Sequence, residues 1–378
     1  MSDLIIRAVS SRQDRNAFVD FVWAVYRGDP AWIPPLKSEV HALLDPAKNP
    51  WFGHGRAALF LAERDGRIVG RISAQVDDLV QVHMEPGLGQ WGLFEALDGD
   101  VAAALIAQAE TWLRAEGMTK ALGPISISIW DEPGLLIDGF DQAPMVMMGH
   151  HRPAYRGWIE AAGYTKAKDL YTYELDIRID MVPLIARLIK AGEKNPRIRI
   201  REVDKSRFDT EAAIIMGLLN DAWSDNWGFV PLTDTEIAYG ARKLKPIIFN
   251  DLVRIAEVDG EPAAFMITIP DVNEMIADLD GRLFPFGWAK LLWRLRNPRT
   301  RRVRVPLMGV AKKWQGTRLA GQLAFMLIEF TRRVCVAKYG VHTGEFGWVL
   351  EDNQGMMSIA QLPGAKINHT YRIYQREL

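Results

Sequence analysis

The stretch GVAKKWQGTRLAGQL, residues 309–323, sets small residues and glycines between an apolar run and a long helical pattern. RVRVPLMGV (302–310) predicts a strand, and the periodicity after it predicts a helix from about Gln315. A strand feeding a helix through a short loop leaves several backbone N–H groups without an intrahelical partner, and the helix dipole turns its positive end toward them. That is a cradle for an anion. Gly316, Thr317 and Ala320 are small enough to let a pyrophosphate approach the main chain, and Gln315 and Arg318 add side-chain donors. The competing reading is that Gly316 only eases a strand-to-helix turn.

Other chemistry-bearing residues are sparser. His150 and His151 are adjacent, with no further ligand at metal spacing, and read as loop residues. Cys335 is the single cysteine; in the helical run FTRRVCVAKYG it reads as a small buried hydrophobe. Asp131 and Glu132, in GPISISIWDEPGLLIDGF, could face a cationic ligand or only form a solvated turn.

Positioning these residues takes more than one unit. IRAV (6–9) recurs as IREV (200–203), and AERDG (62–66) as AEVDG (256–260). DPAWIPPL (29–36) answers DNWGFVPL (225–232), and GYTKAKDLYTY (163–173) answers GAKINHTYRIY (364–374). Four matches in one order point to two homologous domains, residues 1–176 and 197–378, joined by a linker helix within 177–196 that Gly192 closes. Each copy reads strand, helix, Trp/Pro loop, a hairpin turning at Asp-Gly, a long helix, a further strand, a short helix and a closing strand pair. The fold class is α/β (α+β), with mixed, mostly antiparallel sheet flanked by helices.

Composition bounds the partners. The chain has 378 residues, 48% hydrophobic and 25% charged, and its net charge of -1 argues against a polyanion binder, so no nucleic acid is expected. The basic segment RLRNPRTRRVRV (294–305) reads as a solvated turn. No signal-like h-region and no apolar run near ~18 residues is present, so a cytoplasmic protein without a membrane partner is expected.

The order strand, V-x-x-x-x-Q-G-x-x-L-A, long helix, strand, acidic Asn segment and Tyr-containing strands resembles the GNAT superfamily of acyl-CoA-dependent N-acyltransferases. The resemblance is close in the second half and in outline in the first, as in tandem GNAT-like proteins. It implies an acetyl-CoA or other acyl-CoA site, with the phosphate motif on Gln315, Gly316, Thr317, Arg318, Leu319 and Ala320. Met308 and Val310 would flank the pantetheine arm, and Asn353 would be a second cofactor contact. Acyl transfer to an amine needs a base and an oxyanion donor. Glu345 on the strand VHTGEFGWVL and Glu351 at its exit are the best-placed carboxylates for the base, with a structural role the alternative for each. Ala360 stands where many members carry the tyrosine that protonates the thiolate, and Tyr371 or Tyr374 are the replacements. Trp223, Asp225 and Trp227 fall where the family builds its acceptor site, for a small-molecule or peptide amine.

In the first copy Glu95, Asp98 and Asp100 crowd the helix entrance and would repel a pyrophosphate, so that copy is expected to be degenerate. Two rival readings remain: a non-catalytic module binding CoA or a metabolite, and an aminoacyl-tRNA-dependent transferase. The oligomeric state stays open, a dimer included.

Overall fold

The computed structural model describes residues 3–296 and 298–378. The first half runs β1 (Leu4–Ala8), α1 (Arg12–Val25), α2 (Lys37–Leu43), β2 (Gly55–Arg64), β3 (Arg67–Asp77), α3 (Asp78–His83), β4 (Leu88–Ala96), α4 (Gly99–Ala115) and β5 (Lys120–Gly123). It continues through the short β6 (Ile125–Ser126), β7 (Glu132–Pro133) and β8 (Leu135–Asp138) to α5 (Ala154–Ala161) and β9 (Thr165–Asp176). After α6 (Pro183–Glu193) the second half runs β10 (Ile198–Glu202), α7 (Phe208–Trp223), α8 (Asp234–Leu244), β11 (Val253–Val258), β12 (Glu261–Pro270), α9 (Val272–Ile276) and α10 (Gly287–Arg296). It closes with β13 (Arg302–Val310), α11 (Arg318–Tyr339), β14 (Thr343–Leu350), α12 (Gln354–Gln361) and β15 (Lys366–Glu377).

Local chemistry accounts for the elements. Asp65-Gly66 and Asp259-Gly260 both have positive φ, so the β2–β3 and β11–β12 turns match the strand twist. Alternation along β11 and β12 then splits the core: Ile255, Phe265 and Ile267 pack with α7, while Ala256, Ala264 and Met266 pack with Leu323, Ala324 and Leu327 of α11. Helices therefore cover both faces.

The sheet is one continuous surface with the order β1-β2-β3-β4-β5-β15-β9-β14-β13-β12-β11-β10, and β8 pairs with β15 beside it. Among the described residues only β4/β5 and β13/β14 pair in parallel. Each half gives its last strand to the other: β15 pairs with β5, and β9 pairs with β14. The strand pair expected to close each copy is formed once, by β9 with β15 at the centre. The sheet runs unbroken across the expected boundary between residues 176 and 197.

Gly192 does not stop the linker helix, which runs on to Glu193. A Cβ there would lie 2.2 Å from Met326 Sδ, so the glycine lets α6 lie close against α11. Cys335 is buried, and burial pushes its thiol up to about 12.

Candidate functional site

The parallel ladder between β13 and β14 ends after Val305 and Phe346. The next residue of β13, Pro306, has no N–H to give a neighbour. Beyond it the strands part, and a narrow cleft opens between them. Val305, Pro306 and Met308 form one wall, and Phe346 to Leu350 the other. Trp223 and Asn226 at the exit of α7, with Asn353 and Met356 at the start of α12, close its ends.

The loop from β13 to α11 stands at the end of β13 beyond this opening. The helix begins at Arg318, three residues later than the sequence suggests, because a 3-10 turn over Lys312–Trp314 intervenes and Thr317 is the cap. Thr317 Oγ1 donates to Trp314 O at 2.6 Å and accepts from Ala320 N–H. Gly316 sits at φ 73° with nothing within 4 Å of a would-be Cβ; backbone conformation, not crowding, is what calls for glycine. Among the described residues the amides of Gly316, Arg318 and Leu319 have no protein acceptor.

Gln315 departs from its expected role as a phosphate donor. Its amide donates to Val310 O at 2.9 Å and to Ala222 O at 3.3 Å, tying the loop to the end of β13 and to α7. Arg318 is exposed and has no carboxylate partner among the described residues. Leu319 and Ala320 are half-buried in the first turn. Asn353 caps α12 by accepting from Met356 N–H and lines the cleft beside Met308.

The expected acceptor and catalytic residues scatter. Trp223 is at the cleft and donates to Met308 O at 3.0 Å. Asp225 instead pairs with Lys312 at 2.7 Å, and Trp227 packs with Lys168 and the core beneath β5. Glu345 is buried on β14, 3.9 Å from buried Arg304, and accepts from Asn368 at 2.9 Å. Arg304 also bonds Val146 O and Gly347 O, so the pair holds the centre of the sheet together rather than facing the cleft. Glu351 accepts from Lys166 and from Asp169 N–H. Tyr371 is fully buried, donates to Gly149 O at 3.1 Å, and burial holds its phenol far above the usual range. Tyr374 is buried and donates to Glu160. None of these four side chains lines the cleft.

A second, narrower cleft lies between the halves. Its wall is largely apolar, with Leu79, Val80, Met84, Ile129, Val230 and Leu232, and its polar group is one that spacing alone does not reveal. His54 Nδ1 lies 2.9 Å from Asp77 Oδ1, and His54 Nε2 lies 3.2 Å from Glu236 Oε1. Asp77 also accepts from Trp51 Nε1 and Leu79 N–H, which fixes its carboxylate against the imidazole. Trp130 of this cleft stacks on Trp223 of the first, centroids 6.1 Å apart and planes at 13°. The two clefts meet at that indole pair.

In the first half the matching site is closed. The β4/β5 ladder ends at Gln90 and Leu122, but chain fills the gap: a Cβ on Gly92 would lie 2.1 Å from Ile125 O. Asp98 caps α4 through Val101 N–H and pairs with Arg64 at 2.7 Å. Of the other acidic and His candidates, Asp131 accepts from Ser128, His150 binds Asp29 at 2.9 Å, and His151 Nδ1 accepts from Leu136 N–H.

No family model matches the sequence. Bacterial ceramide synthase of Caulobacter vibrioides is 43% identical over 380 residues, covering 100% of this chain and 98% of that protein. Protein YghO of Escherichia coli is 40% identical over 377 residues, covering 99% and 95%. The chain belongs to their family. Its fold is that of tandem GNAT proteins: one from the clavulanic acid biosynthesis pathway superposes with a TM-score of 0.56 at 13% identity, over 99% of this chain and 98% of that one. A GCN5-related N-acetyltransferase from Sphaerobacter thermophilus gives 0.53 at 14%, over 99% and 95%. Within the ceramide synthase and YghO family, then, this chain carries one open and one filled version of the same strand opening.

Proposed function

We propose that the chain transfers a fatty acyl group from an acyl-CoA thioester to the amine of a long-chain amino alcohol. The observation that carries the reading is the parting of β13 and β14 below a helix N-terminus whose amides are free. The amides of Gly316, Arg318 and Leu319, with the Arg318 guanidinium, suit a diphosphate. The walls of both clefts are largely apolar, the lining a lipid substrate calls for, and the name of the Caulobacter relative denotes amide formation with a lipid amine.

Bound there, an acyl-CoA supplies an activated carbonyl with a thiolate leaving group. His54, set between Asp77 and Glu236, takes the first proton of the ammonium, and the amine left behind is neutral. A backbone N–H of the strand carrying Met308 to Val310 donates to the carbonyl oxygen as charge develops. The C–N bond forms as the C–S bond breaks, and the second amine proton leaves with the thiol. Trp130 and Trp223 keep water from the junction of the two clefts.

Titration calorimetry with hexadecanoyl-CoA and acetyl-CoA, and thiol release in the presence of sphinganine or a polyamine, test this. The expected outcome is tighter binding of the long chain and release only with the long-chain amine. His54→Gln is expected to lower kcat roughly 100-fold or more, with the Kd for acyl-CoA unchanged. Absence of CoA binding removes the loop assignment. Binding without turnover leaves the non-catalytic reading, which buried Ala360, in place of an acid for the thiolate, favours.

A further inference from the structure

Residues 281–304 read GRLFPFGWAKLLWRLRNPRTRRVR: eight Lys or Arg and no Asp or Glu. In the structure this segment carries α10, and large apolar side chains stand exposed among its cations. Phe284 is 82% exposed, Phe286 78%, Trp288 48%, Leu292 47% and Trp293 60%. Every exposed Phe and Trp among the described residues lies in these ten positions. A soluble surface rarely gathers so many large apolar side chains unless something covers them.

The platform beneath them is built. Lys290 and Arg294 both bind Asp278, and Arg294 also donates to Met275 O. Trp23 Nε1 donates to Asp280 at 2.7 Å, and Lys37 N–H donates to Gly281 O at 3.0 Å, which ties the segment to the first half. Trp288 Nε1 donates to Pro285 O. The remaining exposed cations, Arg282, Arg296, Arg299 and Arg301, have no carboxylate partner among the described residues.

We infer that this face docks the protein on an anionic phospholipid surface, the aromatic rings at headgroup depth and the arginines against the phosphates. Aromatic and leucine side chains beside unpaired arginines are what a helix lying in the interface plane presents. Charge selects this occupant over a second copy, because two such faces brought together would oppose their cations. No helix among the described residues is long and apolar enough to cross a membrane. The expectation of no membrane partner rested on that criterion, which bears on crossing and not on lying against a surface. The docking also places the cleft: β13 starts at Arg302, and Val305 of the cleft wall is about 10 Å further along the strand. It does not depend on which acyl group is transferred.

Sedimentation of the full chain with vesicles tests it, using phosphatidylcholine alone and phosphatidylcholine mixed with phosphatidylglycerol. The expected result is binding to the mixed vesicles that weakens at high salt, as surface charge is screened. Arg296→Glu and Arg299→Glu are expected to weaken it roughly fivefold or more each, and the double variant Phe284→Ser/Phe286→Ser to abolish it, with unchanged melting temperatures. Equal recovery of wild type and variants on both vesicle types overturns the proposal. So does a concentration-dependent dimer in solution that the serine variant converts to monomer, since a second copy would then own the face.

Discussion

Glu95 shows how a residue can look like a site component and act as a stability switch. It is buried on β4, accepts from Tyr155 Oη at 2.7 Å and Tyr26 Oη at 2.9 Å, and has Arg71 3.9 Å away. Burial dominates over these partners and raises its carboxyl from 4.5 to about 7. A folded-state value above the unfolded one means that the native state holds the proton longer. The stability linked to it is therefore complete below about pH 4.5 and is lost as pH rises through about 7. Between about pH 5 and about pH 8 the expected loss is on the order of 2 to 3 kcal/mol. Glu95→Gln keeps an acceptor for the two phenols and removes the charge. Its urea midpoint is expected to fall less than that of wild type over the same range; equal declines in the two proteins would count against this account. The sequence marks Glu95 only as an acid near a helix entrance, and nothing local tells that its environment is dry.

At the scale of elements, what proved legible was whatever a short window encodes. The two Asp-Gly turns, the strand at 302–310 and the long helix after it stand nearly where periodicity places them. The unpaired amides ahead of α11 were legible too, as glycine and threonine before a helix. The inner wiring of that stretch was not: the Gln315 amide turns back to Val310 and Ala222, a bond between residues far apart in sequence. The same limit hid His54, Asp77 and Glu236, which converge from three elements, and made Glu345 look available when the partner strands bury it. Gly316 tests the element directly. At φ 73° a β-branched side chain is strained by roughly 1 to 2 kcal/mol although the space around it is open. Gly316→Val is expected to re-aim the amides and weaken CoA binding by roughly tenfold, the equivalent of 1.4 kcal/mol, with the remainder of the fold intact. Unchanged affinity by calorimetry, with a normal melting curve, would show that these amides hold nothing.

The whole molecule is organised by the exchange of terminal strands. Repeat spacing reveals two copies because similar strands need similar sequence. It cannot reveal which copy each closing strand joins, since β9 and β15 carry the same alternating pattern and either partner would bury it. In the structure β15 inserts between β5 and β9, with Tyr371, Ile373 and Tyr374 almost fully buried. Arg372 binds Asp169 at 2.7 and 2.9 Å, and Arg376 binds Glu110 at 3.0 Å. The last strand of the chain thus completes the core of its first half, while β9 completes the sheet that carries the open cleft. Neither half can lose its borrowed strand and keep its own edge paired, so the two are expected to unfold as one. Tyr374→Ala, removing a buried aromatic ring at the β5 contact, is expected to cost roughly 3 to 5 kcal/mol. Hydrogen exchange at β3 in one half and β12 in the other should then accelerate together, and calorimetry should show one transition at a lower temperature. Independent halves would behave differently: β3 would lose protection, β12 would keep it, and two transitions would separate.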